Sequence, residues 1–599
     1  MEVGRHGYPW SVVAALATAG LLLAAPGARA GGPAFTTSEL PLPKRHFDIG
    51  VAYVNSDSDP DLFTTAHSNR QVVLIGDGDG GFVDRLSDLG LDHSPRFSGL
   101  ERLNEPPQLT DPGMYLFATP TGLSLIAHQT SAVVELRSRG FQKPKPRRGA
   151  TATLKRSGRG PLALEEVRVV APVGGRVVFP MSPRWVPVKV TVQRPAQPAS
   201  ILVGSDAVHP ASPGFRLLLR DRHGMAWSDL DGDDDSDVYI TRGALAGRLE
   251  QRPDLVRDEL MMRAGGGFED VAGDLGLSKA SCRGRLAGTP DVDGDGRPDI
   301  FSSCKDGPPR LYLQRGTGIR NVSARLRRAG GTGAGMRWVD VRGSVLPELI
   351  AIDGRRLSVF GRDGGSWVLR QALTGLPGGA VDALAPADID RDGDADLMVA
   401  IGGQTALLEN RGGSLTPRDP ASLGLPVAVA GPLVWADVQN DGRVDLFAPP
   451  GGVFAQKPGG GFAATGLLAS GPVSKAHSSW PDIDGDGDRD AVLSVRSDGR
   501  RVSELHRNQL ADGHWLQVEV ESRFGGEAAG ARVMVRSGGE RQTGWVGQSD
   551  SARYSSGDHR LYFGLGDDQS ATVNVRWPGG ASASLKGVDA DRLLRVPYP

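Results

Sequence analysis

The sequence predicts an all-β protein: a seven-bladed β-propeller that carries an inserted β-sandwich and is followed by a C-terminal β-domain. An acidic loop pattern of the type DxDxDGxxD recurs about every 48 residues, the length of a four-stranded propeller blade. The chain also contains 83 Gly and 42 Pro and only 6% aromatic residues, a composition typical of short strands joined by turns. The repeat is interrupted once and stops before the C-terminus, which leaves room for the two further β-domains. Its copies start at residues 53, 229, 291, 340, 388, 437 and 482.

The first 30 residues are typical of a secretory signal peptide. Arg5 precedes an apolar run over 12–25, and residues 28–30 form an A-x-A cleavage site. An uncleaved anchor is the alternative, but the run is short for a membrane span and no later segment could span a bilayer, which favours export and a secreted, periplasmic or cell-surface protein. With 599 residues the chain exceeds a single core, and a net charge of −2 excludes a polyanion or polycation as a whole. The predicted domains are the signal peptide (1–30), the first blade (31–94), the inserted sandwich (95–198), blades two to seven (199–508) and the C-terminal β-domain (509–599).

Each acidic loop has the composition of a calcium site. Residues 1, 3 and 5 of a tight loop turn their oxygens toward one point and the carboxylate at position 9 closes the cage, which suits a hard cation. A hairpin turn needs only one or two such residues, and four carboxylates within nine positions repel one another unless a cation neutralises them. We therefore expect about four to six Ca²⁺ ions. The candidate ligands are Asn55, Asp57 and Asp61; Asp229, Asp231, Asp233 and Asp237; Asp291, Asp293, Asp295 and Asp299; Asp388, Asp390, Asp392 and Asp396; Asp437, Asp441 and Asp445; and Asp482, Asp484, Asp486 and Asp490.

Three loops depart from the pattern. Tyr53 replaces the first Asp of the first loop, and Gln439 replaces the second Asp of the sixth, so we expect both to bind more weakly. The fourth loop has Arg342 and Ser344 at positions 3 and 5. Because a guanidinium there supplies positive charge itself, this loop is predicted to keep its turn without a metal.

The interruption between the first and second copies is predicted to be a small β-sandwich. Its strand-like segments are separated by Pro and Gly, and its basic run from Arg137 to Arg159 contains no acidic residue. The run is either a polyanion-binding patch or a solvated hairpin face; sparse aromatic residues argue against nucleic acid. Phe141 and Trp185 are either stacking platforms for a carbohydrate or core residues.

The two cysteines, Cys282 and Cys304, flank the third loop. In an oxidising compartment they form either a disulfide that clamps this blade or a pair of buried thiols.

The loops and the GGF…LGL segments that accompany them resemble FG-GAP or VCBS repeats, the blades of integrin α-type propellers. After residue 508, the segments HWLQVEV, GARVMV, LYFGLGD and VRWPGG follow one another as in the ASPIC/UnbV domain, with Ser555 and Ser556 at its serine-rich position. The combination is similar to the cartilage acidic protein family. The resemblance implies a secreted, calcium-binding adhesion or interaction protein, with the metal on the loop carboxylates.

The sequence thus favours an exported, non-catalytic module that binds an extracellular or cell-surface protein or glycan. It contains no G-x-S-x-G or H-E-x-x-H motif and no cysteine suited to nucleophilic catalysis. Two alternatives stay open: an enzyme with a site in the propeller channel, and carbohydrate binding through the insertion.

Overall fold

The computed structural model describes residues 34–599, with gaps at 43–45, 47, 56, 68–70, 87, 92, 95–96, 101–108, 110–112, 120–121, 139–141, 158–163, 181–187, 195–200, 204–205, 209–213, 220, 244–257, 278–282, 306, 317, 327–328, 331–332, 470–477, 498–499, 511–512 and 549–552. The predicted signal peptide, Phe141, Trp185 and Cys282 lie outside the described residues, whereas Cys304 is buried and disulfide-bonded. The described part is all-β, as predicted, with 3₁₀ turns at Ser323–Leu326, Gly333–Gly335 and Pro420–Leu423. It contains no helix long and apolar enough to cross a membrane.

The first strand, β1 (Phe35–Leu40), precedes a four-stranded antiparallel unit. That unit consists of β2 (Asp48–Ala52), β3 (Asp61–His67), β4 (Val73–Gly76) and β5 (Phe82–Asp84). The first acidic loop joins its first two strands.

The insertion folds as two sheets packed on one core, together with a separate two-stranded sheet of Ile201–Val203 and Asp206–Val208. Its strands are β6 (His93–Ser94), β7 (Phe97–Leu100), β8 (Gly113–Thr119), β9 (Gly122–His128), β10 (Ala132–Ser138), β11 (Lys145–Arg147), β12 (Thr151–Ser157), β13 (Leu164–Ala171), β14 (Arg176–Pro180), β15 (Val188–Arg194), β16 (Ile201–Val203), β17 (Asp206–Val208) and β18 (Gly214–Leu219). One sheet has the order β12-β13-β10-β15-β18-β7-β6 and the other β11-β14-β9-β8. Alternate apolar residues of both sheets, such as Leu125, Val134 and Phe179, meet between them. The larger sheet includes β18, beyond the predicted limit at residue 198, because β18 pairs with both β15 and β7.

Six further units follow the insertion, each with an acidic loop between its first two strands. Their strands are β19 (Asp221–Ser228), β20 (Asp237–Arg242), β21 (Glu259–Ala264) and β22 (Gly267–Asp270); β23 (Gly284–Gly288), β24 (Ile300–Cys304), β25 (Arg310–Arg315) and β26 (Gly318–Asn321); β27 (Met336–Val339), β28 (Glu348–Asp353), β29 (Arg356–Asp363) and β30 (Ser366–Thr374); β31 (Val381–Ala387), β32 (Asp396–Ile401), β33 (Gln404–Asn410) and β34 (Leu415–Arg418); β35 (Val434–Ala436), β36 (Asp445–Phe447), β37 (Val453–Gln456) and β38 (Phe462–Ala464); and β39 (Ser478–Ser479), β40 (Ala491–Ser497) and β41 (Arg500–Asn508).

The last unit is completed by the N-terminal strand, because β1 pairs antiparallel with β41. Each unit shares an apolar core with the next one along the chain, and the last shares a core with the first through Leu62, Leu74 and Val492. Second strands such as β32 are buried on both faces, which explains their continuous apolar sequence.

The C-terminal domain is a second pair of sheets. Its strands are β42 (His514–Val520), β43 (Arg532–Ser537), β44 (Glu540–Trp545), β45 (Leu561–Gly566), β46 (Ser570–Arg576), β47 (Ser582–Asp589) and β48 (Arg592–Val596). The sheets have the orders β45-β42-β48 and β44-β43-β46-β47. They enclose a core that contains Val518, Val573 and Trp577.

Candidate metal loops and the domain that covers them

The acidic loops share one hydrogen-bonded framework, which the third loop illustrates. The carboxylate of Asp291 accepts the backbone N–H groups of Gly294 (2.8 Å) and Gly296 (2.9 Å). The carboxylate of Asp299 accepts the N–H of Val292 (3.1 Å) and that of Gln314 on β25 (2.9 Å). The first carboxylate therefore shapes the turn, and the last one attaches the turn to its own unit.

Both glycines of this turn have left-handed backbone, with φ of 76° at Gly294 and 83° at Gly296. Residues with a Cβ adopt this conformation at a cost, which explains the glycines here and in the loop from Asp482; in other loops Asp234, Arg391 and Asn440 take the same left-handed backbone. Val345 occupies the position of Gly296 in the fourth loop and has a φ of 67°. The loop thus keeps its turn, held by hydrogen bonds from Ser344 N (2.9 Å) and Val345 N (3.0 Å) to Asp340.

Four loops bring three carboxylates together, with one oxygen of each within 4.8 Å of the others. The groups are Asp229, Asp231 and Asp237; Asp291, Asp293 and Asp295; Asp388, Asp390 and Asp392; and Asp482, Asp484 and Asp490. They are the four loops in which the sequence has Asp at positions 1, 3, 5 and 9.

The fourth predicted ligand of each of these loops lies outside its group. Asp299 and Asp396 each use both oxygens to accept backbone N–H groups. Asp233 and Asp486 each accept the N–H two residues further on, at 3.0 Å. Inside the groups, Asp237 and Asp490 also accept backbone N–H groups with both oxygens, and Asp295 and Asp392 accept the N–H two residues further on, so all of these side chains help to fix the loop backbone.

Burial makes the first carboxylate of each group unfavourable as a bare anion, because it raises the pKa of Asp229, Asp291, Asp388 and Asp482. Desolvation, with a smaller contribution from Asp295 and Asp293, raises the pKa of Asp291 to about 7. Desolvation also raises the pKa of Asp388 to about 6 and that of Asp396 to about 8. A cation among these groups would reverse the shifts, because it favours the ionised form.

Three carboxylate oxygens in these groups are buried without a hydrogen-bond partner: Asp293 Oδ1, Asp388 Oδ2 and Asp484 Oδ1. Buried polar atoms are normally paired, so each oxygen needs a donor or a cation. Oxygen-only donor sets of this kind suit Ca²⁺. The residues present therefore fit a calcium ion.

The other three loops form no such group among the described residues. In the first loop the Asn55 side chain donates to Asp57, and the Arg560 guanidinium lies 4.4 Å from the centre of the Tyr53 ring. In the sixth loop Arg443 pairs with Asp441, and Gln439 Oε1 is buried without a partner. A cationic side chain thus lies beside each of these two loops, as Arg315 does beside Asp293 and Asp295 of the third loop, so the missing carboxylate group is what distinguishes them.

The C-terminal domain lies against the loops, which the sequence did not predict. Glu527 accepts hydrogen bonds from Ser228 Oγ (3.0 Å) and from Asp229 N (3.2 Å). Burial and, to a smaller extent, the Glu527 carboxylate raise the pKa of Asp229 to about 6. Gln517 donates to Asp482 Oδ2 at 2.6 Å.

The domain also touches the remaining loops. These contacts are Arg560 on Tyr53, already described; Phe524 under the guanidinium of Arg297 (3.6 Å); Gln548 Oε1 with Asp340 N (3.1 Å); Arg541 Nε with the Arg391 carbonyl (3.2 Å); and Gly566 N with the Asn440 carbonyl (2.8 Å). The C-terminal domain therefore reaches all seven acidic loops.

Residues 553–559 of the same domain run between the first strands of the units. Ser556 donates from its N–H to the Met225 carbonyl (2.9 Å) and accepts from Trp227 N (3.0 Å), so it adds to β19 as a strand would. The Tyr554 carbonyl accepts Ala287 N (2.8 Å) on β23. The segment thus bridges two units by main-chain hydrogen bonds.

The tip of this segment is held by charge. Buried Asp48 accepts the N–H groups of Arg553 (2.7 Å) and Tyr554 (2.5 Å), and the Arg553 guanidinium pairs with Asp382 (2.9 Å). One loop therefore ties the first unit to the fifth. In the sequence this segment is marked only by two adjacent serines and an arginine, which do not indicate that it lies between the units.

Family comparisons agree with these two parts of the chain. The model of the FG-GAP-like repeat matches residues 291–351 and 388–448, and the model named ASPIC and UnbV matches residues 521–599. Mouse "Cartilage acidic protein 1" is 32% identical over 124 residues, which cover 20% of this chain and 19% of the mouse protein. The human protein of that name is 32% identical over 124 residues, covering 20% of this chain and 18% of its own length. The chain thus spans about a fifth of the length of these relatives.

Solved structures are similar only at a distance. An exotype rhamnogalacturonan lyase, YesX, has a TM-score of 0.30 and 12% identity over 83% of this chain and 92% of its own. BBS1N in complex with ARL6DN has a TM-score of 0.28 and 8% identity over 79% and 96% of the two chains. Likenesses this weak bear on neither fold nor activity.

Proposed function

We propose that this chain, which carries FG-GAP-like repeats and an ASPIC/UnbV domain, is an exported calcium-binding β-propeller that acts as a non-catalytic protein-interaction or adhesion module. The seven four-stranded units are its blades. The core shared by the last unit and the first supports a closed ring, as does the pairing of β1 with β41. The signal-like N-terminus supports export.

The observation that carries the proposal is the set of four carboxylate groups, each with a buried first Asp. The pKa of that Asp is raised in all four groups, and three groups contain an oxygen without a hydrogen-bond partner; a divalent cation relieves both features. Asp229, Asp291, Asp388 and Asp482 and their group partners would hold the ions. The metal, when bound, supplies positive charge that stabilises the loops, and it takes part in no reaction.

The placement of residues 553–559 supports a non-catalytic role. An enzyme of this architecture would use convergent polar side chains in the channel between the first strands. Here that space is crossed by the chain's own loop, whose backbone groups are bonded to β19 and β23.

Calorimetry on protein stripped with chelator and titrated with CaCl₂ tests the metal. We expect four ions, with dissociation constants of about 10⁻⁴–10⁻³ M, as for extracellular modules. At 2 mM calcium such sites contribute about 0.6–1.8 kcal/mol each, or roughly 2.5–7 kcal/mol together. A protein that takes up no calcium and melts identically with and without chelator would refute the proposal.

A pull-down from the native cell surface, with and without chelator, tests the interaction role. We expect partners that are retained in calcium and released by EGTA. If the same set is captured in both conditions, calcium has no part in partner binding.

A further inference from the structure

The inserted sandwich concentrates positive charge that the rest of the chain lacks. Residues 113–194 contain 14 Lys and Arg against three Glu, a net charge of +11, in a chain whose net charge is −2. We propose that one edge of this sandwich binds a linear acidic polysaccharide. This goes beyond the calcium-dependent function, because the edge contains no carboxylate loop.

The cations lie in a row on β11, the edge strand of the smaller sheet. Lys145 and Arg147 are two residues apart and so project on the same side, about 7 Å from each other. Arg147 is directly opposite Arg176 of β14. Because Val177 and Phe179 are buried in the core, Arg176 and its cross-strand partner face outward.

A like-charged pair directly across two strands is unfavourable unless an anion lies between the two groups. No described carboxylate serves this purpose. Glu166 pairs with Arg137 (2.6 Å), Glu165 with Arg156 (3.0 Å), and Glu135 accepts from Gln193 (2.9 Å). Arg176 Nε is buried without an acceptor, and an anionic group at this edge would supply one.

The edge is also rigid. Pro144 and Pro146 restrict the backbone of β11, and Arg148 and Gly149 form a left-handed turn with φ of 55° and 76°. Edge strands often carry a Lys or Pro to prevent sheet extension, and such protection needs one or two charges. It does not explain an arginine placed opposite another arginine.

The chemistry of the edge favours a polysaccharide over two other polyanions. Residues 142–157 contain no aromatic side chain on which a base could stack. The exposed large apolar residues of the described sandwich are Val170 and Val173, too little apolar surface for insertion into a bilayer. A straight row of cations suits an extended chain with sulfate or uronate groups at regular intervals.

The full-length protein is tested against fluorescent dextran sulfate, polygalacturonate and neutral dextran. The variant replaces exposed cations (Lys145→Gln, Arg147→Gln and Arg148→Gln), and its matched control replaces exposed cations of the propeller (Arg320→Gln, Arg355→Gln and Arg356→Gln). Four phosphate-like contacts, from Lys145, Arg147, Arg148 and Arg176, predict roughly a fiftyfold loss of affinity between 50 and 200 mM salt, and the one contact that the variant keeps predicts about threefold. We expect the affinity of the variant for dextran sulfate to depend only weakly on salt. The control should show the same salt dependence as the wild type, with or without EGTA.

The same proteins are also titrated with anionic vesicles and with single-stranded DNA, and their melting temperatures are compared. The variant should melt no lower than the wild type, since it removes a repulsive pair. Equal binding of dextran sulfate by variant and wild type would overturn the proposal, as would binding only to vesicles or DNA. Binding that survives EGTA supports it even if the protein takes up no calcium.

Discussion

Replacing Asp293 by Asn removes one carboxylate of the third loop while keeping the shape of the side chain. The Asp293 side chain is only 3% exposed, and its oxygens lie within reach of Asp291 and Asp295. In calcium the variant should lose one ion, and with it about 0.6–1.8 kcal/mol at 2 mM calcium. For a folded unit of nearly 500 residues this lowers the melting temperature by about 1–2 °C.

In chelator the same change should have almost no effect. Asp293 pairs with Arg315, which also contacts Asp295 at 2.7 Å, so the substitution loses an attraction. It also relieves repulsion from the neighbouring carboxylates, and the two effects oppose each other. We expect a net change below about 0.5 kcal/mol.

Differential scanning calorimetry of both proteins in 2 mM CaCl₂ and in EGTA measures these shifts. Asp353→Asn is the matched control, because Asp353 is an exposed Asp in an Asp-Gly hairpin turn between β28 and β29. It should melt like the wild type in both conditions. Equal losses for Asp293→Asn in calcium and in EGTA would show that the loop is only a turn.

Three further outcomes are expected. In EGTA the melting temperature should fall as pH rises from 6 to 8.5, because the raised pKa values of Asp291 (about 7) and Asp396 (about 8) make their ionisation in the folded protein unfavourable. Calcium should make the melting temperature less dependent on pH. The same pH dependence in calcium and in EGTA would contradict this reasoning. Asp441→Asn should leave the calorimetric ion count unchanged, because the described carboxylates of the sixth loop form no group of three; a lost ion would place a metal in that loop. Arg553→Ala should lower the free energy of unfolding by about 1 kcal/mol and speed hydrogen exchange across residues 514–599. Arg576→Ala, an exposed control in the same domain, should change neither. Similar exchange in both variants would mean that Arg553 does not hold the domain against the units.

The acidic loops could be predicted from sequence because their structure is local. Asp291 accepts N–H groups three and five residues away, and the left-handed glycines are within the same nine residues. The local sequence also predicts which loops bring their carboxylates together, since the four loops with Asp at every ligand position are the ones whose carboxylates meet. The local sequence could not predict which carboxylates meet: Asp299 and Asp490 both stand at position 9 and accept two backbone N–H groups, yet only Asp490 belongs to a carboxylate group.

The position of the C-terminal domain could not be predicted, because it depends on contacts between residues hundreds of positions apart. Ser556 pairs with β19 through backbone groups, which every residue has, so no side-chain pattern predicts this pairing. Arg560 and Tyr53 are 507 positions apart in the chain. Only the fold shows that a guanidinium lies over Tyr53, the residue that replaces the first Asp of this loop. The N-terminal strand that completes the last unit is a further non-local pairing.

If the loops hold calcium as proposed, their contact with the C-terminal domain links metal binding to domain docking. Glu527 bonds to the backbone of Asp229, and Gln517 bonds to the carboxylate of Asp482 itself. An ion that orders these loops therefore lowers the entropic cost of docking, and docking in turn raises the affinity for the ion by the same factor. Since the docked domain covers the loops and residues 553–559 run between the first strands, a partner would reach the outer edges of the units and the inserted sandwich. Under the proposed function, the partner-binding surface is thus expected on the parts of the molecule that carry no metal, and bound calcium would act on it by making the seven units more rigid.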